Sequence, residues 1–437
     1  MIQSSAFSNP YFINSCQSTV FRLRSSVLFI LLFAFSSIYS QTKTLEVCSS
    51  CEYKSIKNAI SFANDGDTVL IKKGNYKETD IQISKAISII GEDNPVIDGQ
   101  DKKTNIFYCN TENFSISGLS FKNVGMSYVN EFAAIFVFKS KNFTLKNNNF
   151  SSVFYSFIIQ DSSYGKIVNN KVTGTMEDET KAGNGVHIWK AKRMHIENNE
   201  ITNMRDGIYL EYVQHSTITN NKSINNIRYG LHFMFSHDNV YDYNEFKGNG
   251  AGVAVMYSKR VEMYHNNFHH NWGTASYGLL LKEIYDSEIE NNTFQDNTIG
   301  INLDGCNRIS YKKNNFIGNG WAVKFIGACY ENSFTQNNFL SNAFDLSYSS
   351  KLNDNSFDGN HWSEYTGYDL DHNGIGDVSY RPVKLFSYIV NKSPDALVLL
   401  RSLFVDVLNF SEKVSPVFTP DKLIDSKPII KRIKIDD

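Results

Sequence analysis

The sequence predicts an all-β chain wound as a right-handed parallel β-helix with short capping helices, and three observations carry that expectation. A glycine-led phrase recurs as Gly-Val-His-Ile-Trp at 185, Gly-Ile-Tyr-Leu at 207, Gly-Leu-His-Phe-Met at 230, Gly-Val-Ala-Val-Met at 252 and Gly-Leu-Leu-Leu-Lys at 278, in steps of 22, 23, 22 and 26 residues. Such a period is one coil of a solenoid, in which each coil buries its apolar face only by stacking on its neighbours. Each phrase alternates, so that Ile208 and Leu210, Leu231 and Phe233, and Val253 and Val255 share an inward face. An asparagine-pair phrase runs in step, as in Leu-Lys-Asn-Asn-Asn-Phe150, Ile-Glu-Asn-Asn-Glu-Ile201 and Ile-Glu-Asn-Asn-Thr-Phe294. Asparagine tolerates the left-handed conformation of a tight corner and can bond to the stacked asparagine of the next coil, so these phrases predict a structural ladder and not chemistry.

The chain divides into a signal peptide (1–40), an N-terminal cap with the first coils (41–100), β-helix repeats (101–362) and a C-terminal loop with a helical tail (363–437). Arg22 and Arg24, the apolar run from Val27 to Phe35 and the small residues up to Ser40 have the pattern of a secretory signal, and the run is short of the ~20 residues a retained anchor needs. Export permits disulfides. Cys48 and Cys51 read as a local staple, Cys109 as a buried apolar residue, and Cys306 and Cys329, one coil apart, as a candidate bridge. Ile56, Ala59, Ile60 and Ala63 follow helical spacing and predict a cap over the first coil. Strands are expected at 68–72 and 87–90, and this opening resembles the entry of pectin-lyase-like β-helices.

Two coils are longer than the rest. One insertion, Thr173 to Asn184, carries the acidic run Glu177 to Glu179, and the other adds His269, His270, Asn271, Trp272 and Gly273. Both leave from the same corner about four coils apart, or ~19 Å, and insertions on one side of a solenoid mark a binding face. Eight of the ten histidines and six of the eight methionines fall between Met176 and His270. Register assigns Met194 and Met263 to the core. Further on, Asp369, Asp371, Asn373 and Asp377, with the carbonyl of Ile375, form an oxygen-rich loop with a glycine at its turn, a candidate Ca²⁺ site lacking the distal glutamate of an EF-hand. From Ala396 to Phe410 the chain is apolar at helical spacing, either a seal over the last coil or a helix that docks a membrane partner.

Alternation sends His187 and Trp189, Tyr209 and Glu211, His232 and Met234, and Ala254 and Met256 outward. His232, Met234 and Met256, with His187 nearby, form a candidate copper set, because soft thioethers select Cu(I) and imidazole accepts either copper state. Trp189, Tyr209, Trp272, His269 and His270 form a candidate partner surface. A formal charge of −2 argues against nucleic acid. Partner surface, metal handling and polysaccharide chemistry all remain open on residues alone. The last needs converging carboxylates, whereas Glu211, Asp304 and Asp345 are read as outward but coils apart, so a non-enzymatic role is expected.

Several phrases outside the repeat resemble the NosD family of nitrous oxide reductase maturation proteins: Arg-Tyr-Gly-Leu-His-Phe-Met-Phe-Ser-His-Asp-Asn from 228, Gly-Ala-Gly-Val-Ala-Val-Met-Tyr-Ser from 250, Asn-Trp-Gly from 271, and Gly-Tyr-Asp-Leu-Asp from 367 through Tyr-Arg-Pro at 380. The resemblance implies a periplasmic β-helix protein that works at the inner membrane with a permease and its cytoplasmic ATPase, with a copper chaperone and with nitrous oxide reductase, in the assembly of copper centres. Secreted carbohydrate binding or degradation is the alternative. The Cys48–Cys51 pair and the acidic insertion depart from the family pattern.

Overall fold

The computed structural model describes residues 42–127, 130–175, 178–348, 354–414 and 423–435. The expected signal peptide lies outside them. Three parallel sheets run the length of a right-handed solenoid: fourteen strands from Thr44–Val47 to Ser356–Asp358, thirteen from Asn75–Tyr76 to His361–Trp362, and twelve from Ile81–Ile83 to Phe344–Tyr348. Each coil contributes one strand to each sheet in turn. The glycine phrases lie on the third sheet.

The asparagine pairs divide the work of the corner. The residue before each buried ladder asparagine turns the chain, with φ of 55° at Asn147, 54° at Asn198, 55° at Asn220 and 59° at Asn291, and of 51°, 50° and 56° where His265, Lys313 and Gln336 take that place. The ladder asparagine itself points inward and is buried. At Asn221 the backbone N–H and Nδ2 both donate to Oδ1 of Asn244, at 2.9 and 3.0 Å, and Nδ2 also donates to the Ile196 carbonyl at 2.9 Å. That pattern repeats from Asn148 to Asn360. A second ladder runs from Asn226 to Asn342. Both end on carboxylates. Asn360 donates to Asp425 at 2.9 and 3.0 Å, and Asn342 to Asp345 at 3.2 Å. An ionised carboxylate only accepts, so it terminates a run of amides whose last donor has no further amide to meet.

Inside, Phe246, Phe268, Phe294, Phe316, Phe339 and Trp362 stack with centroids 5.4, 4.6, 5.1, 4.8 and 4.1 Å apart. Such pairs contribute about 0.5–1.5 kcal/mol each beyond burial. Met194 and Met263 are buried, as register predicts. Helix α1 (Ile56–Phe62) buries Ile56, Ala59 and Ile60 over the first coil. Its N-terminus meets Ser55, which accepts from Asn58, and Glu78, which accepts from the N–H groups of Ile56 and Lys57 at 2.8 and 3.1 Å. At the other end α2 (Leu385–Lys392), a 3₁₀ turn (Pro394–Leu399) and α3 (Leu403–Val414) replace the single helix expected at 396–410. Phe386, Val390 and Val405 pack on Phe344. No described helix is long and apolar enough to cross a membrane.

Cys48 and Cys51 are disulfide-bonded and Cys109 is buried, both as expected. The Cys306–Cys329 bridge is not formed, and both thiols are free. The two stand in the column of Ser236 and Ser258, where the Ser258 hydroxyl accepts from the Ser236 N–H at 3.0 Å. Likewise Cys329 Sγ accepts from the Cys306 N–H at 3.4 Å, while the Cys306 thiol donates to the Leu281 carbonyl at 3.4 Å. A denatured, unreduced chain lacking residues 1–40 should therefore titrate as three thiols, and as five after reduction opens the Cys48–Cys51 pair; two further thiols lost before reduction would show the bridge.

Asp345, read from sequence as outward, is buried. It occupies the column of Gly278, Gly300 and Ala322, which only the last coil can fill with a larger side chain. Burial pushes its pKa up to about 6, opposed by the charge of Lys384 and the Asn342 hydrogen bond, with Glu364 and Tyr380 also facing it. The folded chain thus holds this proton more tightly than the unfolded chain, whose carboxyl titrates near ~3.9. Its stabilisation is complete below about pH 4 and is lost as pH rises through about 6, by at most ~3 kcal/mol. Hydrogen exchange of α2 and the last coil should quicken across that window in the wild type and stay flat in Asp345→Asn.

Candidate outer-face site

At Gly230 a Cβ would meet the Gly252 carbonyl oxygen at 2.6 Å and Phe246 Cδ1 at 2.9 Å, so the glycine itself faces inward. Leu231, next in sequence, is also buried. Two successive inward positions bend the strand and bring the residue before the glycine onto the outer face. The face therefore has three columns and not the two that alternation predicts. The added column holds Tyr155, Asp206, Tyr229, Ala251 and Tyr277. Beside it run His187, Tyr209, His232 and Ala254, then Trp189, Glu211, Met234 and Met256, each pair in register between adjacent strands.

The extra column covers the histidines, which were expected to be open. His187 lies between Tyr155 and Tyr209, with centroids at 5.7 and 4.7 Å, and His232 between Tyr209 and Tyr229, at 4.9 and 4.6 Å. Only 9% of His187 and 4% of His232 remain accessible. Arg228 lies 5.0 Å over the Tyr229 ring, and its Nε is 3.3 Å from Glu179 of the acidic insertion and 3.9 Å from Asp206. Glu177 of that insertion lies outside the described residues. His232 Nδ1 is 3.8 Å from Asp206 Oδ2, beyond hydrogen-bond reach.

Both ring nitrogens of His232, Nδ1 of His187, Oδ1 of Asp206 and Nδ2 of Asn184 are buried and bond to no protein group. Each such atom costs about 1–3 kcal/mol. Burial lowers the His187 pKa and raises that of Tyr209, whose hydroxyl donates to Glu211 at 3.1 Å and to Met234 Sδ at 3.5 Å. Met234 and Met256 are partner residues on neighbouring strands, and both are half-buried. Beyond them Tyr212, Phe235 and Tyr257 stack at 5.2 and 5.1 Å, with φ of 53°, 49° and 53°. The same left-handed corner is held by Lys190 and Glu283 in neighbouring coils, so the ridge differs from them in its stacked aromatic rings. An aromatic after each outward Glu or Met was its signal in the sequence.

Of the other candidates, Trp189 is half-buried, with the Lys190 ammonium 4.1 Å from its ring centre. His269 and His270 are not brought to His232. They lie on the second sheet and its corner, His269 bonded to Glu245 at 3.0 Å and His270 3.8 Å from Asp296. Trp272 is 66% exposed and lines a cleft of about 450 Å³ with Arg401, Val405 and Asp406 of the C-terminal helices. In the acidic loop Asp369 accepts from the N–H groups of Asn373 and Gly374, Asp371 from the Asn373 amide, Asp377 from the Leu370 N–H, and Asn373 from the Ile375 N–H. The loop is closed on its own backbone. No group of three or more His, Cys, Asp or Glu is placed to hold a metal ion among the described residues, and the expected Ca²⁺ cluster is not preformed.

A family described as a right-handed β-helix region matches residues 59–268, and one described as a periplasmic copper-binding protein, NosD, matches residues 173–367. A probable ABC transporter binding protein NosD of Pseudomonas aeruginosa is 25% identical over 366 residues, covering 72% of this chain and 78% of that protein. Its counterpart in Stutzerimonas stutzeri is 27% identical over 154 residues, covering 34% and 30%. Among solved structures, an alginate lyase has a TM-score of 0.55 at 14% identity, covering 74% of this chain and 85% of that one. PfbA, a surface adhesin of Streptococcus pneumoniae, has a TM-score of 0.54 at 16% identity, covering 68% and 88%. Those two likenesses show the fold alone. The molecule is a right-handed β-helix protein with a partly buried imidazole and thioether face. More particularly, the chain is NosD-like.

Proposed function

We propose that this protein is a periplasmic accessory subunit for assembling the copper centres of nitrous oxide reductase, and that copper reaches those centres by way of its outer face. The observation that carries the reading is the juxtaposition of Met234 and Met256 in register on neighbouring strands with His232, whose nitrogens bond to nothing in the protein. Two thioethers with one imidazole suit Cu(I), and a half-buried set of three ligands leaves a position through which the ion can pass on. The copper descriptor of the matched family and the relatives named as ABC transporter binding proteins support the reading. A copper chaperone and the reductase are the exchange partners, met at the ridge of Tyr212, Phe235 and Tyr257 beside the methionines.

Association with a permease and its ATPase is assigned to the C-terminal helices. Val398, Leu403, Phe404, Val407 and Phe410 are exposed, Val398 to 87% and Leu403 to 78%, and Trp272 of the second insertion lines a cleft shared with those helices. An apolar stripe of that kind on a soluble domain marks an interface. Catalysis on carbohydrate is disfavoured, because Tyr209 bonds Glu211 and the last coil buries Asp345.

Replacing Met234 and Met256 together with leucine keeps volume and apolarity but removes both sulfur donors. The double variant should fold, retain its partners and fail to load the reductase, measured by copper content and activity; full loading would reduce the face to a docking surface. Changing Leu403, Val407 and Phe410 to serine should leave the melting temperature within a few degrees, since these side chains bury little, yet abolish co-purification with the permease. Retained co-purification would exclude the stripe.

A further inference from the structure

From the acidic insertion Glu179 reaches the solenoid at Arg228, 3.3 Å away. Arg228 lies 5.0 Å over Tyr229, Tyr229 is 4.6 Å from His232, and Asp206 faces both Arg228 and His232, at 3.9 and 3.8 Å. A continuous stack thus runs from a surface carboxylate to a buried imidazole. We propose that Glu179 is a latch on His232: it pins Arg228 across Tyr229 and Asp206, and the imidazole becomes reachable only when that contact opens.

The chemistry of each member supports the assignment. Glu179 and Arg228 keep 56% and 35% of their side chains accessible, so the pair is solvated and breaks readily. Asp206 is 1% accessible, its Oδ1 facing the Arg228 Nε at 3.9 Å without a hydrogen bond, and neither nitrogen of His232 has a hydrogen bond. Opening the latch lets Arg228 swing away and exposes Asp206 and His232 together to whatever enters. Asp206 is then the positioning residue, since a carboxylate beside Nδ1 holds the proton there and leaves Nε2 free as a donor to a metal. That the entering species is copper rests on the proposed function. The latch itself does not.

The test is site-resolved labelling of histidine by diethyl pyrocarbonate in the full chain, with exposed His270 as internal reference. In the wild type His232 should react at least about tenfold more slowly than His270, because reaction waits on local opening. Glu179→Gln removes the charge from an exposed loop and should quicken labelling of His232 about threefold to fivefold, leave His270 unchanged and leave the melting temperature unchanged. Salt at about 0.5 M should reproduce the effect in the wild type and add nothing in the variant, because a solvated pair is screened. Equal rates at His232 and His270 in the wild type, or a His232 rate indifferent to both salt and the substitution, would overturn the latch. Cu(I) binding under chelator competition is measured on the same samples. If labelling follows the latch while the wild type holds no Cu(I), the copper reading fails and the latch stands.

Discussion

A solenoid must hydrogen-bond the inside of every corner to the corner above it, and the buried asparagine amide meets that demand here. Each ladder asparagine accepts two bonds from the preceding coil and donates to two others, so its amide is satisfied deep in an apolar interior where an orphan donor would cost about 1–3 kcal/mol. The same bonds fix coil spacing and therefore the register of every column on the outer sheets. They also dictate how the molecule can stop. A ladder of amides running one way leaves a donor at its end, and Asp425 and Asp345 receive those donors. The C-terminal region is thus bound to the solenoid by the same contact that joins the coils. Asp425 makes the attachment firm, since it also accepts from the Gly359 N–H at 3.1 Å and Trp362 Nε1 at 3.0 Å.

Much of this is legible in the sequence because it repeats. The glycine and asparagine phrases give the coil length, the inward faces, the ladder and the core methionines, and helical spacing gives α1. What the sequence conceals is a single phase slip. Period-two alternation assigns the glycine to the outer face, whereas contact with the next coil turns it inward and displaces Asp206 and Tyr229 to the outside. The histidines that alternation leaves open are thereby roofed. An acidic or aromatic residue before three of the five glycines, in Asp206-Gly207, Tyr229-Gly230 and Tyr277-Gly278, was the available sign. Cysteines one coil apart allow a bridge by distance, but spacing cannot say whether two sulfurs face each other or continue a hydroxyl ladder. In the acidic loop the composition of a cation site and of a self-bonded turn are the same, and only the direction of the carboxylates separates them.

The geometry of a β-sheet explains why such a face suits passage of a metal better than its storage. Donors two residues apart on one strand have backbones ~6.6 Å apart, and donors on adjacent strands ~4.8 Å apart. Flexible thioethers can span those gaps, whereas a backbone locked by ladders cannot draw in to complete a tight tetrahedral shell. His232 cannot adjust either, wedged between Tyr209 and Tyr229. On the proposed function, copper would meet the two thioethers at the rim before the covered imidazole, and would leave in the reverse order. Because the rim is accessible and the imidazole is not, the proposed exchange with a partner would be confined to the thioethers, beside the aromatic ridge of Tyr212, Phe235 and Tyr257. The left-handed turn at Tyr212, Phe235 and Tyr257 is a corner that neighbouring coils also make, since Lys190, Glu283 and Gly305 hold φ of 52°, 54° and 67° at the equivalent position, so what sets the ridge apart is its aromatic stack and not its backbone.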